Sequence, residues 1–296
     1  MTWAEKRRVR VSAGELAFVD AGDREAPPVV LLSGGFTSSY VWRQLIPMLS
    51  PWMRVIAPDL LGSGDSDSPE GADLSLRAHA THVRELLDGL GVDRFAIAGH
   101  GHGGGVAQLV ALGSNVEALL LVDTIALDAW PSPGVRELRA HLDEADPEAW
   151  IRTALDRGTR RGRLTDEDVE EYLRPFRGPG GAERFGRVAA SFDGEGLEEL
   201  APRLENLEIP AFVLWGEEDE FVDVAVAERL ADVLPRASVA LLPGCGHFLL
   251  EDAFETVAPL IFQWLRTQYL KVEHRHEPEP GPIAVTLGRR PPGEGG

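Results

Sequence analysis

Phe95-Ala96-Ile97-Ala98-Gly99-His100-Gly101-His102-Gly103-Gly104-Gly105, continued by Val106-Ala107-Gln108-Leu109-Val110-Ala111-Leu112, is the stretch on which the reading of this chain turns. A short apolar run bounded by glycine reads as a buried strand. A glycine-flanked turn follows it, and then a helix. This is the layout of a nucleophile elbow, G-x-S-x-G, in which a sharp turn lifts one side chain above a sheet. Gly99 and Gly103 fill the two small-residue positions. The residue between them is expected to carry a hydroxyl, a thiol or a carboxylate. Gly101 has no side chain, so it forms no covalent intermediate. Glycine does tolerate the backbone of such a turn at no steric cost.

Around the elbow, short apolar runs alternate with helical patterns, the signature of βαβ units and a mostly parallel sheet. Val9–Val11 and Leu16–Val19 read as an opening hairpin turned at Ala13-Gly14. Val29–Leu32, Arg54–Ala57, Phe95–Ala98, Ala118–Val122, Ala211–Trp215 and Val239–Leu242 read as strands. Helical spacing runs over Val41–Leu49, Leu76–Leu90 and Phe254–Leu265. The predicted fold is α/β: a twisted sheet of about eight strands with helices on both faces. Residues 125–205 lack a buried strand pattern and hold helical pieces, Val135–Leu142 and Asp166–Leu173, punctuated by Gly178-Pro179-Gly180-Gly181. They are expected to form a helical cap inserted between a first core part, 1–124, and a second, 206–270. Residues 271–296, rich in Pro, Gly and Glu, are expected to be a disordered tail.

The 296-residue chain suits one large domain with an insertion, and 44% hydrophobic residues provide a core. A formal net charge of −19 disfavours nucleic acid and anionic membranes. The single cysteine, Cys245, excludes an internal disulfide. Met1–Val11 shows no apolar signal core and no run reaches membrane-spanning length, so a cytoplasmic location is expected. A small-molecule substrate is the expected partner. The oligomeric state is left open.

Four segments together resemble the α/β-hydrolase fold, over about residues 7–268. They are Leu31-Leu32-Ser33-Gly34-Gly35-Phe36 followed by Trp42, then Pro58-Asp59-Leu60-Leu61-Gly62-Ser63-Gly64-Asp65-Ser66, the elbow, and a late acid and histidine. The resemblance implies that Asp219, in Gly216-Glu217-Glu218-Asp219, is the triad acid. It implies that His247, in Gly244-Cys245-Gly246-His247, is the triad base. An imidazole exchanges protons near neutral pH, and a carboxylate on its other nitrogen fixes the tautomer. The same resemblance places an oxyanion hole at the backbone N–H groups of Phe36 and His102, with Gly35 beside them, and makes Asp123 a reserve acid. The family's usual Ser, Asp or Cys is missing at Gly101, and its usual His-Gly is Ser33-Gly34 here.

The cap aromatics Trp130, Trp150, Tyr172, Phe176, Phe185 and Phe192 favour an apolar or aromatic substrate, with Trp130 a candidate contact. His100 reads as a packing residue, Asp59 as a tie within its own turn, and His79, His82, His274 and His276 as solvent-facing. His100, His102 and His247 form too loose a pattern for a metal site, and no metal or cofactor is expected. Three readings stay open. One is an enzyme using His247 and Asp219 as a general acid/base dyad without a covalent nucleophile, in lyase, cyclase, decarboxylase or cofactor-free oxygenase chemistry. The second is an ester or lactone hydrolase whose nucleophile was changed to glycine by design. The third is a ligand-binding protein without turnover.

Overall fold

The computed structural model describes residues 3–161, 164–194 and 196–271. Most of the expected tail, with His274 and His276, lies outside them. Eight strands form one sheet: β1 Arg7–Val11, β2 Gly14–Ala21, β3 Pro28–Leu32, β4 Arg54–Pro58, β5 Arg94–His100, β6 Asn115–Val122, β7 Ala211–Gly216 and β8 Ala237–Leu242. Their spatial order is β1-β2-β4-β3-β5-β6-β7-β8. The β1–β2 and β2–β4 pairs are antiparallel and the rest are parallel. The chain reverses its direction of strand addition at β3, so the loops leaving β3 and β5 face each other. Ligands in open parallel sheets bind at such a switch point, beyond the carboxyl ends of the strands.

The inner strands are buried on both faces, which is why they read as continuous apolar runs rather than alternating ones. Alternate residues still part to opposite sides. Val30, Leu32 and Ile97 face one core cluster, whereas Val29, Leu31, Ala96 and Ala98 face the other. The helices of the first part are α1 Leu45–Leu49, α2 Leu76–Gly89 and α3 His102–Ala111. The single helix expected over Val41–Leu49 is broken in two, a 3₁₀ turn at Ser39–Trp42 and then α1. Pro47 lies in the first turn of α1, where its missing N–H has no intrahelical partner to lose. In α2, Ser75 caps the first turn by accepting from Ala78 N–H at 3.2 Å.

Between β6 and β7 the described chain is helical: α4 Pro133–Ala140, α5 Pro147–Gly158, α6 Asp166–Leu173, α7 Gly181–Ala190 and α8 Ala201–Leu204, with short 3₁₀ turns. Thr165 and Asp168 form a reciprocal capping box at the start of α6. α7 starts directly after Gly180, whose φ of 78° lies in the left-handed region. The chain then returns to β7, followed by α9 Ala225–Val233, β8, α10 Leu249–Asp252 and α11 Phe254–Gln268. Among the described residues, no helix is long and apolar enough to cross a membrane.

Candidate active site

The elbow is built by close backbone approach. A Cβ on Gly99 would lie 2.4 Å from Gly103 O, and one on Gly103 would lie 2.4 Å from Ser33 O. These two positions have no room for a side chain. Gly101, at the tip, has φ 53° and ψ −121° and precedes the first residue of α3. Its N–H donates to Val122 O of β6 at 3.1 Å. Its carbonyl accepts from Gly104 N–H at 3.0 Å, from Ile125 N–H at 3.1 Å and from the Thr124 hydroxyl at 3.2 Å. Gly101 is less confined than Gly99 and Gly103. A Cβ there would meet His247 Nε2 at 3.1 Å and Gly34 Cα at 3.5 Å.

His247 reaches this point from the loop after β8, and Asp219 stands in the loop after β7. His247 Nδ1 is 2.8 Å from Asp219 Oδ2. The side chain of Asp219 is fully buried, and its Oδ1 accepts from Phe221 N–H at 2.7 Å and Val222 N–H at 3.1 Å. With Nδ1–H donated to the carboxylate, the lone pair of Nε2 is directed at the tip of the elbow. The histidine loop is held by Asp252, which the sequence reading did not single out. Its Oδ2 accepts from Gly246 N–H at 2.7 Å, and its Oδ1 accepts from Arg160 N–H at 2.8 Å and Arg161 N–H at 2.9 Å.

The reserve acid, Asp123, is not paired with the imidazole. It is buried at the end of β6 with φ 43°, and its Oδ1 accepts from Gly216 N–H at 2.8 Å. Its Oδ2 has no partner among the described residues. Burial, and then the negative charge of Asp219, push its carboxyl well above the ordinary range.

The backbone N–H groups of Phe36 and His102 have no acceptor among the described residues. His102 is the first residue of α3, where amides lack intrahelical partners and the helix dipole is positive. Both residues line a cavity of about 60 Å³, together with Gly35, Gly101, His247 and Trp130. Among the described residues, no Asp, Glu, Lys or Arg lines it. The cap aromatics divide by role. Trp130, Trp150 and Phe192 line the cavity. Phe176 and Phe185 support Phe36, with ring centroids at 5.7 Å and 4.7 Å. Tyr172 turns away and donates its hydroxyl proton to Glu251 Oε1 at 2.6 Å.

The family described as alpha/beta hydrolase fold matches residues 27–254, more than half of the chain. This chain belongs to the α/β hydrolase fold family. It is 32% identical over 264 residues to the soluble epoxide hydrolase of Corynebacterium sp., covering 82% of this chain and 90% of that protein. It is 28% identical to haloalkane dehalogenase 2 of Mycobacterium bovis, covering 88% and 94% of the two chains. The crystal structure of an α/β hydrolase fold protein from Burkholderia ambifaria superposes with a TM-score of 0.81 at 28% identity, over 87% of this chain and 97% of that one.

In this α/β hydrolase fold the helical segment between β6 and β7 is fastened to the rest of the chain by buried and part-buried polar groups. Asp168 of α6 accepts from the Tyr40 hydroxyl at 2.8 Å and from Arg43 Nη2 at 2.7 Å. Arg43 also donates to Glu251, at 2.6 Å and 2.9 Å. Asp59 does more than tie its own turn. It accepts from Asp65 N–H, from the Ser39 N–H and hydroxyl, and from Lys6 Nζ.

Two expectations are corrected here. His79 and His82 are not solvent-facing: each is only 4% exposed. His79 falls on the stripe Leu76, Ala80, Val83, Leu87 that α2 buries, and that spacing was the available signal. Its ring centroid is 5.9 Å from that of His102. Burial lowers His102 to about 4 and His79 well below its ordinary value. His100 is a buried packing residue whose Nε2–H donates to His247 O at 2.9 Å. Burial first, and then His247, lower it to about 3. Among the described residues, no group of three His, Cys, Asp or Glu can hold a metal ion.

Proposed function

We propose that this protein is an enzyme that carries out proton-transfer chemistry on a small apolar or aromatic molecule without attaching it to the chain. His247 is the general base and later the acid. Asp219 fixes its tautomer and stabilises the imidazolium. The free N–H groups of Phe36 and His102 receive the negative charge that develops on the substrate oxygen. Gly101 marks the place where other members of the family present a nucleophile.

The 2.8 Å contact between His247 Nδ1 and fully buried Asp219 is the observation that carries this reading. A buried carboxylate is costly unless it is satisfied, and this one is bonded to the single ring that faces the elbow tip. The uncharged, aromatic-lined cavity supports an apolar substrate body. The curated relatives named above are hydrolytic enzymes by name, which supports turnover rather than storage.

Gly101→Ser is the test. With an assembled base and oxyanion hole, the new hydroxyl should give esterase activity toward p-nitrophenyl butyrate, with a burst of p-nitrophenolate as the acyl-enzyme forms. A folded Gly101→Ser variant without any gain in turnover contradicts the reading. So does a gain that survives His247→Ala.

A further inference from the structure

Gly101 leaves space beside His247 that the other glycines of the elbow do not. The point where its Cβ would stand is 3.1 Å from His247 Nε2, with His247 Cε1 and Gly34 Cα each at 3.5 Å. A carbon there is crowded against the ring. Because Gly101 has no Cβ, Nε2 is left uncovered on that side, and an oxygen in the cavity can approach it to hydrogen-bonding distance. Gly101, His247 and the two residues with free N–H groups, Phe36 and His102, all line the same cavity. Its volume of about 60 Å³ exceeds several-fold the roughly 10–15 Å³ that one water requires.

We infer, on the reading of His247 and Asp219 as a proton-transfer pair, that the cavity beside His247 Nε2, left open by the missing side chain of Gly101, binds a small hydroxylic nucleophile, water or a short alcohol. That nucleophile attacks an acyl carbon directly. His247 Nε2 takes the O–H proton as the oxygen bonds to the carbonyl carbon. The carbonyl π pair moves onto its own oxygen, against the N–H groups of Phe36 and His102. The pair then returns, the bond from carbon to the leaving oxygen breaks, and the imidazolium gives its proton to that oxygen. Water yields the free acid and methanol yields the methyl ester. The step is redox-neutral, and no protein atom is bonded to substrate at any stage.

The test uses the full chain and p-nitrophenyl acetate. Wild type should release p-nitrophenolate about 100-fold faster than His247→Ala, the scale of general-base catalysis. Gly101→Ala should fall to the level of His247→Ala, because its methyl group stands 3.1 Å from Nε2 and blocks the oxygen's approach. Added methanol should divert wild-type product to methyl acetate with saturation, beyond the ratio found in buffer alone. A folded Gly101→Ala variant as fast as wild type overturns the nucleophile site and leaves the dyad reading intact. A His247→Ala variant as fast as wild type, or no release by wild type above buffer, overturns both. Circular dichroism establishes whether Gly101→Ala is folded. If it is not, the methanol partition decides alone, and a product ratio equal to that of buffer overturns the site.

Discussion

On the core side of the cavity, main-chain atoms approach so closely that Gly99 and Gly103 have no space for a Cβ, with carbonyl oxygens 2.4 Å from where it would be. On the cap side, the wall is aromatic rings set in place by side chains from distant parts of the chain. The Arg43, Asp168, Glu251, Tyr40 and Tyr172 cluster joins a turn after β3 to α6 and α10. The core wall is therefore fixed by main-chain contact, whereas the wall above it is set by side chains. A proton-transfer site needs the first property, and a change of substrate within one fold needs the second.

The largest effect should come from the core wall. Asp219→Asn keeps the shape but removes the tautomer control, and should lower His247-dependent turnover by about 100-fold or more. Comparing rates for p-nitrophenyl acetate checks this, and an unchanged rate means that Asp219 only supports the loop. Next comes the fastening of the cap. Arg43→Met leaves Glu251 and Asp168 with an unpaired buried charge and should cost roughly 3–5 kcal/mol of stability. Urea denaturation reads this, and a loss below about 1 kcal/mol would mean that the cap is held by its rings alone.

The elbow glycines sharpen the comparison at a smaller scale. Gly103→Ala meets backbone at 2.4 Å, whereas Gly101→Ala meets only the edge of a side chain and bears a positive φ. The first should lose more stability than the second, whose strain is about 1–2 kcal/mol. Equal losses would show that the elbow backbone yields.

The smallest effect is a pH slope. His79, His100 and His102 are buried and neutral, with values held below the ordinary 6.5. Below about pH 6.5 the unfolded chain binds protons that the folded rings refuse. Stability is therefore whole above that pH and falls toward pH 4, by about 1.4 kcal/mol per pH unit for each ring. Asp123 opposes this. Its carboxyl is shifted upward in the folded chain, so above about pH 4 folding favours holding a proton that the unfolded chain releases. Three rings against one carboxyl leave a net loss on acidification. His102→Leu should flatten the slope of urea midpoints between pH 7 and pH 5. A wild-type profile that is already flat would contradict the buried neutral rings.

The same contrast explains what the sequence could tell. Strands β3 to β8, the hairpin and α6 were legible because apolar runs and capping residues act over a few neighbours. The elbow was legible because glycine spacing records backbone contact directly. Helices α5 and α7 were not singled out, since cap helices carry short, gapped apolar stripes between Gly and Pro. The role of Glu251 was hidden because its partners lie 79 and 208 positions away, and that of Asp252 because two of its three partners lie 91 and 92 positions away. His79 was misread as exposed although it sits in register with Leu76 and Val83, because one polar residue on an apolar stripe was judged by its type and not its position.

Intact-protein mass spectrometry during turnover of p-nitrophenyl acetate tests the central claim most directly. Wild type should release product in a His247-dependent manner while its mass stays that of the free chain, and Gly101→Ser should gain one acetyl group under the same conditions. An acetylated wild-type chain that forms and decays at the rate of turnover would contradict the account, because the protein would then be carrying the acyl group itself.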